Sequence, residues 1–360
     1  MKKKISMVLV FITALFIFEG CKKESFTYKS NTEKEINYTI GVVRTTGQKN
    51  KSIIKLYDRT LEEIDEDSLP YGSMGGTFYN PIVFENSVYT IPQGIATKKD
   101  LGLVLEINTN TTETQEYKID KLAMNSLSVD DTYIYTSNTL NGIASLNQYN
   151  KKTNTLKSID LKDEDITKIE TYKENVYCFS ISKNESGSLV SRIYVLDSLL
   201  NIIDKIDISN WETEIYKSLV VGNKLYFSCP ALDLDSRDGK IIELSLDTLE
   251  MKEINLSIKN PSDIVLFNDK LFINDLDLTR SEGNKISVLD IHTKEEVVIP
   301  LEHTALQIGI KDNILFAVDD NKIYSYEIDG NNLILNNSTN YAEDKDANVH
   351  YYFGGFFLKP

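Results

Sequence analysis

The stretch Asp233-Leu234-Asp235-Ser236-Arg237-Asp238-Gly239 sets three carboxylates within six residues and closes them with a glycine. A hard cation such as calcium collects oxygens from carboxylates spaced in this way, and the glycine permits the sharp turn that aims them inward. One extra residue precedes the third aspartate, and Arg237 lies inside the loop, where its guanidinium can neutralise the carboxylates in place of an ion. Two readings stay open: a calcium site on Asp233, Asp235 and Asp238, or a hydrated surface loop satisfied by Arg237. More acidic side chains follow at Asp275, Asp277, Glu282, Asp319 and Asp320, while Arg44, Lys49, Lys98 and Lys99 fall early in the chain. Tyr71, Trp211, His303 and Tyr341 add aromatic and imidazole groups. Carboxylates beside aromatic faces suit a cationic peptide or a sugar.

Other chemistry is sparse. The three histidines, His292, His303 and His350, and the three cysteines form no closed metal-ligand spacing. No G-x-S-x-G elbow and no phosphate-cradling glycine loop is present. The single tryptophan excludes the regularly repeated Trp motifs with which quinone-dependent propellers dock their blades.

The elements that must position these groups repeat. An aliphatic-aromatic pair recurs at Val88-Tyr89, Ile134-Tyr135, Val176-Tyr177, Leu225-Tyr226, Leu271-Phe272 and Leu315-Phe316, at intervals of 46, 42, 49, 46 and 44 residues. A turn dipeptide precedes each pair: Glu85-Asn86, Asp130-Asp131, Glu174-Asn175, Gly222-Asn223, Asn268-Asp269 and Asp312-Asn313. Further apolar runs follow in step, among them Leu103–Asn108, Ile241–Leu246 and Ile286–Asp290. Short strands and turns recurring every 42 to 49 residues predict propeller blades of four antiparallel strands each. Placed by repeat phase, the loops between second and third strands and the blade-to-blade connections share one face. Tyr71, Trp211, Asp233, Asp235, Asp238, Asp275, Asp277 and His303 are the ligand-face candidates there, and Arg44, Lys49, Lys98, Lys99 and Tyr341 fall on the same rim. Cys178 and Cys229 fall one and three residues past their aromatics, so both thiols point to the same blade face and do not pair.

One repeat, residues 260–301, also resembles the YVTN family of bacterial surface propeller repeats, through Pro261, Lys270-Leu271-Phe272-Ile273-Asn274, Ile286-Ser287-Val288-Leu289-Asp290 and Thr293. The resemblance implies a seven-bladed propeller exposed outside the cytoplasm. Propeller-fold lyases are similar in overall architecture and in these repeats, and the enzyme alternative, a lyase or hydrolase at the central mouth, comes from that likeness. Their paired catalytic histidines have no clear counterpart here.

The two ends of the chain supply the rest. Lys2-Lys3-Lys4 precede an apolar run of 14 residues, Ile5 to Phe18. That run is shorter than the ~20 residues a membrane-spanning helix needs, so it reads as a signal peptide. Phe18-Glu19-Gly20-Cys21 resembles the bacterial lipobox, which implies a lipid on Cys21 and removal of the preceding residues. A plain secretory signal or an uncleaved anchor would export the chain equally. Residues 22–35 are polar and aperiodic, a flexible tether. Only three strands fit before the second blade: Ile36–Val43, Ser52–Tyr57 and Leu61–Ile64. The missing one is the apolar run His350–Leu358, read as the inner strand of blade one, closing the ring. Residues 36–360 thus form a single all-β, seven-bladed propeller. A net charge of −15 excludes nucleic acid as a partner and leaves the lipid as the link to the membrane. The expectation is a membrane-anchored, extracytoplasmic binding or scaffold module for a protein, peptide or glycan.

Overall fold

Strands with alternating burial can form a ring only if each face finds a neighbour. In a computed structural model, each repeat is a four-stranded antiparallel meander, and seven such blades circle a central channel. The structure describes residues 27–28, 35–75, 80–95, 97–98, 100–211, 215, 217–230, 239–277, 279–343 and 348–360. Blade six shows the pattern: Pro261–Phe267, Lys270–Asp277, Glu282–Asp290 and Glu296–Pro300 pair in chain order from the channel outward. Asn268 and Asp269 have φ of 47° and 59°, and Asp312 and Asn313 in blade seven have 49° and 58°. Two successive positive φ values give the tight turn whose twist matches the strands it joins, and Asn and Asp tolerate them best.

The packing gives the repeated aliphatic-aromatic pair its reason. Successive side chains on a strand point to opposite faces. Leu271 packs back against blade five with Tyr226 and Ile241, while Phe272 packs forward against Leu315 and Ala317 of blade seven. The same division holds for Leu225 and Tyr226, for Val176 and Tyr177, and for Ile134 and Tyr135. The small member faces the preceding blade and the ring faces the next. Cys178 and Cys229 follow this parity into separate layers, one between blades three and four, the other between four and five. Both thiols are free and buried, and burial pushes their pKa values up.

The ring closes as expected. Tyr352–Leu358 is the inner strand of blade one and pairs antiparallel with Ile40–Thr45, followed by Ser52–Tyr57 and Glu63–Leu69. The Phe357 ring lies over Gly41, where an added Cβ would stand 2.2 Å from the ring carbons. Only glycine fits beneath that aromatic. At the opposite edge the structure differs from expectation. Thr27–Tyr28, placed in the tether, pairs with Thr114 and Gln115 as a fifth strand on blade two. An outer strand leaves a row of backbone groups unpaired, and a polar segment can take them without any apolar pattern of its own.

Across the channel lies a buried polar network. Asn80 donates through Nδ2 to both oxygens of Asp263, at 3.0 and 3.1 Å. Lys217 pairs with Asp263 at 3.0 Å and also donates to Asn80 Oδ1, as does Gln307. The Ile308 amide donates to Asp263 at 3.2 Å, and the Phe356 amide to Gln307 Oε1 at 2.9 Å. Blades one, two, five, six and seven are thereby tied together at the axis. Desolvation pulls the Lys217 pKa down, against the opposing pull of Asp263. Breaking a buried pair by removing one charge typically costs about 3–5 kcal/mol, whereas an apolar replacement of both partners is often tolerated. Asp263→Ala should therefore lower the thermal midpoint sharply, and adding Lys217→Met should recover part of the loss. Calorimetric melting of the two variants checks this. A single variant that melts like the parent would show that the network carries no stability.

Candidate functional site

The second-to-third-strand loop of blade six is shaped by a close backbone approach. Gly283 has φ 154°, and a Cβ there would stand 1.7 Å from the Asp275 carbonyl oxygen, so the two strands meet only because this residue has no side chain. Asp277 accepts from the Thr279 and Arg280 amides at 2.9 and 3.1 Å and fixes the turn. Asp275 accepts from the Asn260 amide at 2.9 Å. These bonds hold both aspartates at one end of the blade. There they meet Glu282 and the connection Glu302-His303-Thr304 that leads to blade seven.

The result is a pocket of about 490 Å³ at the rim between blades six and seven, which brings together Asp275, Asp277, Glu282, Glu302 and His303. Arg280 stands at its edge, with Nε 3.8 Å from Asp277 Oδ2. Asp277 and Arg280 largely answer each other. Among the described residues, the carboxylates of Glu282 and Glu302 make no hydrogen bond or ion pair. The field in the pocket is therefore negative, and two carboxylates there are open to a ligand.

His303 forms a fixed wall. Its ring stacks on Tyr324 at 3.4 Å between centroids and 3° between planes. Nδ1 lies 2.8 Å from the Thr304 carbonyl oxygen and Nε2 2.6 Å from the Tyr326 hydroxyl. A carbonyl only accepts, so Nδ1 carries the proton and Nε2 accepts from Tyr326. Burial lowers the His303 pKa, keeping the imidazole neutral. Tyr324 is held in turn by Asp319, which accepts its hydroxyl at 2.9 Å.

With both ring nitrogens occupied, His303 is a stacking surface. His350 is exposed and does not line this pocket, so the two histidines are not brought together as a catalytic pair. Among the described residues no group of three or more His, Cys, Asp or Glu is placed to hold a metal ion. What the pocket can do is receive a polyatomic cation such as an ammonium or guanidinium group, with carboxylates around it and the imidazole face beside it.

The other candidates separate. Tyr71 is buried, not presented at the rim: it packs between blades one and two, and its hydroxyl donates to Glu116 at 2.9 Å. Tyr341 is also buried, and its hydroxyl donates to the Asp319 carbonyl at 2.6 Å. Arg44, expected among the rim cations, is 3% exposed and lies 6.0 and 5.6 Å from the ring centres of Tyr341 and Tyr351. Trp211 ends a short 3₁₀ turn, Ser209–Trp211, and packs edge-on against Phe227 while its Nε1 donates to Glu253 at 2.8 Å. It belongs to blades four and five and takes no part in the pocket. Lys49 and Lys98 are exposed. Asp233, Asp235 and Asp238, Lys99 and Cys21 lie outside the described residues. Asn260, Arg280, Asn284, Glu302 and Thr304 line the pocket without having been singled out. Glu302 was findable as the neighbour of His303 in the same connection. Asn260 carries no such signal.

No family model and no curated protein matches the chain. Solved structures do. Apo AztD from Citrobacter koseri is similar over 89% of this chain and 98% of its own, with 9% identity and a TM-score of 0.52. Hsv2 from Kluyveromyces lactis is similar over 83% of this chain and 99% of its own, with 12% identity and a TM-score of 0.52. At these identities the likeness concerns the fold alone. It supports the propeller architecture and leaves the ligand to be argued from the pocket.

The neutral His303 has a consequence for acid stability. Its folded-state pKa is lowered, so the unfolded chain binds more protons just below the ordinary histidine value of ~6.5. The stability linked to this group is present above that pH and is lost as pH falls through the folded pKa. His303→Phe should preserve the stack on Tyr324 and flatten this part of the pH profile. Denaturant midpoints between about pH 7 and 5 would show it. A variant with the parent's slope would assign the acid sensitivity to other groups.

Proposed function

We propose that this protein is an extracytoplasmic lipoprotein, held to the membrane through a lipid on Cys21. Its propeller is a binding module that receives a basic segment of a peptide or protein in the pocket between blades six and seven. One observation carries the reading: Glu282 and Glu302, without partners of their own, share a 490 Å³ cavity with Asp275 and Asp277 beside a fixed imidazole face. A guanidinium or ammonium group there meets several carboxylates at once and can form charge-assisted hydrogen bonds to more than one of them. The membrane location rests on Lys2-Lys3-Lys4, the 14-residue apolar run and Gly20-Cys21. The YVTN-like residues of blade six are in keeping with an outward-facing propeller.

Two measurements test the proposal. Titration of a short arginine-rich peptide by calorimetry should show saturable binding that weakens with salt, and Glu282→Lys with Glu302→Lys should weaken it at least about tenfold, or ~1.4 kcal/mol. Binding that ignores both reversals would remove this pocket from consideration. Cys21→Ser should release the protein from the membrane fraction or leave its precursor unprocessed. Unchanged size and membrane retention would refute the lipid anchor.

A further inference from the structure

The inner strands end on the face opposite the rim pocket, at the turns between first and second strands, and there the channel opens into a funnel of about 470 Å³. We propose that this funnel is a second ligand site, which takes the hydrocarbon chain of an anionic amphiphile such as a long-chain carboxylate. The proposal is independent of what fills the rim pocket.

Three features of the funnel argue for that chemistry. Its walls are apolar and come from four blades: Val83, Val265, Ile308, Ile310, Phe356 and Leu358. Val83 is 41% exposed and neighbouring Leu266 is 37% exposed, so apolar surface is left open to water at the mouth. A volume of this size falls within the ~300–1,000 Å³ of ligand pockets, which are mostly apolar with a few placed polar groups.

The floor asks for nothing. Asn80 forms it, and its amide is already used in full by Asp263, Lys217 and Gln307. A polar head group driven to the bottom would find no unmet donor or acceptor and would lose its own hydration. The chain end belongs at the floor and the head at the lip.

The lip is basic. In a protein of net charge −15, no aspartate or glutamate among the described residues lines the funnel, whereas Lys311 and Lys359 both do. Lys311 Nζ lies against the main-chain oxygens of Lys359 and Pro360. Lys359 Nζ lies 2.8 Å from the Ile36 carbonyl oxygen, 3.5 Å from Glu35, and over the Tyr38 ring. Lys359 Nζ is thereby turned toward Glu35 and Tyr38, which do not line the funnel, and the Lys311 ammonium is the one a carboxylate head would meet at the mouth after its chain had entered.

The test uses the full chain carrying Cys21→Ser, so that no lipid of its own competes. A fluorescent fatty acid, dansylaminoundecanoic acid, is titrated into the protein and then displaced with palmitate or with hexadecanol. We expect saturable binding at one site, with palmitate displacing the probe at least about fivefold better than the uncharged alcohol. Val83→Glu, at an exposed wall position, should weaken probe binding at least about tenfold, and Leu266→Glu should act likewise if the first variant folds poorly. Lys311→Glu should erase the preference for the acid. Glu282→Lys, on the other face, should change nothing. Absence of saturable binding, insensitivity to both wall variants, or equal displacement by acid and alcohol would each overturn the proposal.

Discussion

Ring closure by Tyr352–Leu358 is the constraint on which the rest of the structure depends. A blade has two apolar faces, and neither is buried until the blades on both sides are present. The closing strand feeds two layers at once: Phe357 packs with Val43, Leu56 and Val88 toward blade two, and Phe356 packs with Ile40, Val42 and Phe316 toward blade seven. Burying an aromatic or large aliphatic side chain is worth about 1.5–3 kcal/mol, so two full layers outweigh any single loop contact in the molecule. Gly41 is part of the same device, since the Phe357 ring occupies the place of its missing side chain.

Closure also decides where ligands can go. The Lys217–Asp263 pair and its amide partners fill the axis with polar groups that satisfy one another. What remains are two mouths of opposite character. On one face the loops between second and third strands vary freely in length without disturbing the blades, and here they collect carboxylates. On the other, tight two-residue turns leave no material for a polar site, and the ends of the inner strands present apolar walls. A propeller offers both surfaces from one scaffold because loop length and blade core are set by different residues.

The rim pocket shows how a reactive side chain becomes a structural one. A histidine beside several acids invites a catalytic reading. Here the Thr304 carbonyl and the Tyr326 hydroxyl take its two nitrogens, and the stack on Tyr324 fixes its plane. Its contribution is shape and a neutral face. The charge comes from Glu282 and Glu302, which the fold positions but does not neutralise.

The sequence by itself determined the blade count, the blade period and the closing strand, because these rest on patterns that repeat locally: a period of two along each strand, a turn dipeptide, and an apolar run left without partners at the end. The aliphatic-aromatic pair was legible as a repeat, but its division between preceding and following blades emerged only in the packed ring. Asp275, Asp277, Glu282 and His303 were legible as neighbours because repeat phase places their loops on one face. Tyr71, Tyr341 and Arg44 were assigned to the same rim and proved buried, since their exposure is set by residues such as Glu116, Phe353 and Tyr351 from other parts of the ring. The axial network joins Asn80 to Gln307 across 227 positions, and Thr27–Tyr28 joins blade two by strand pairing. Neither leaves a local pattern. A periodic element needs only its own residues to declare itself, whereas burial, pairing and charge balance are properties of partners that the chain brings together only on folding.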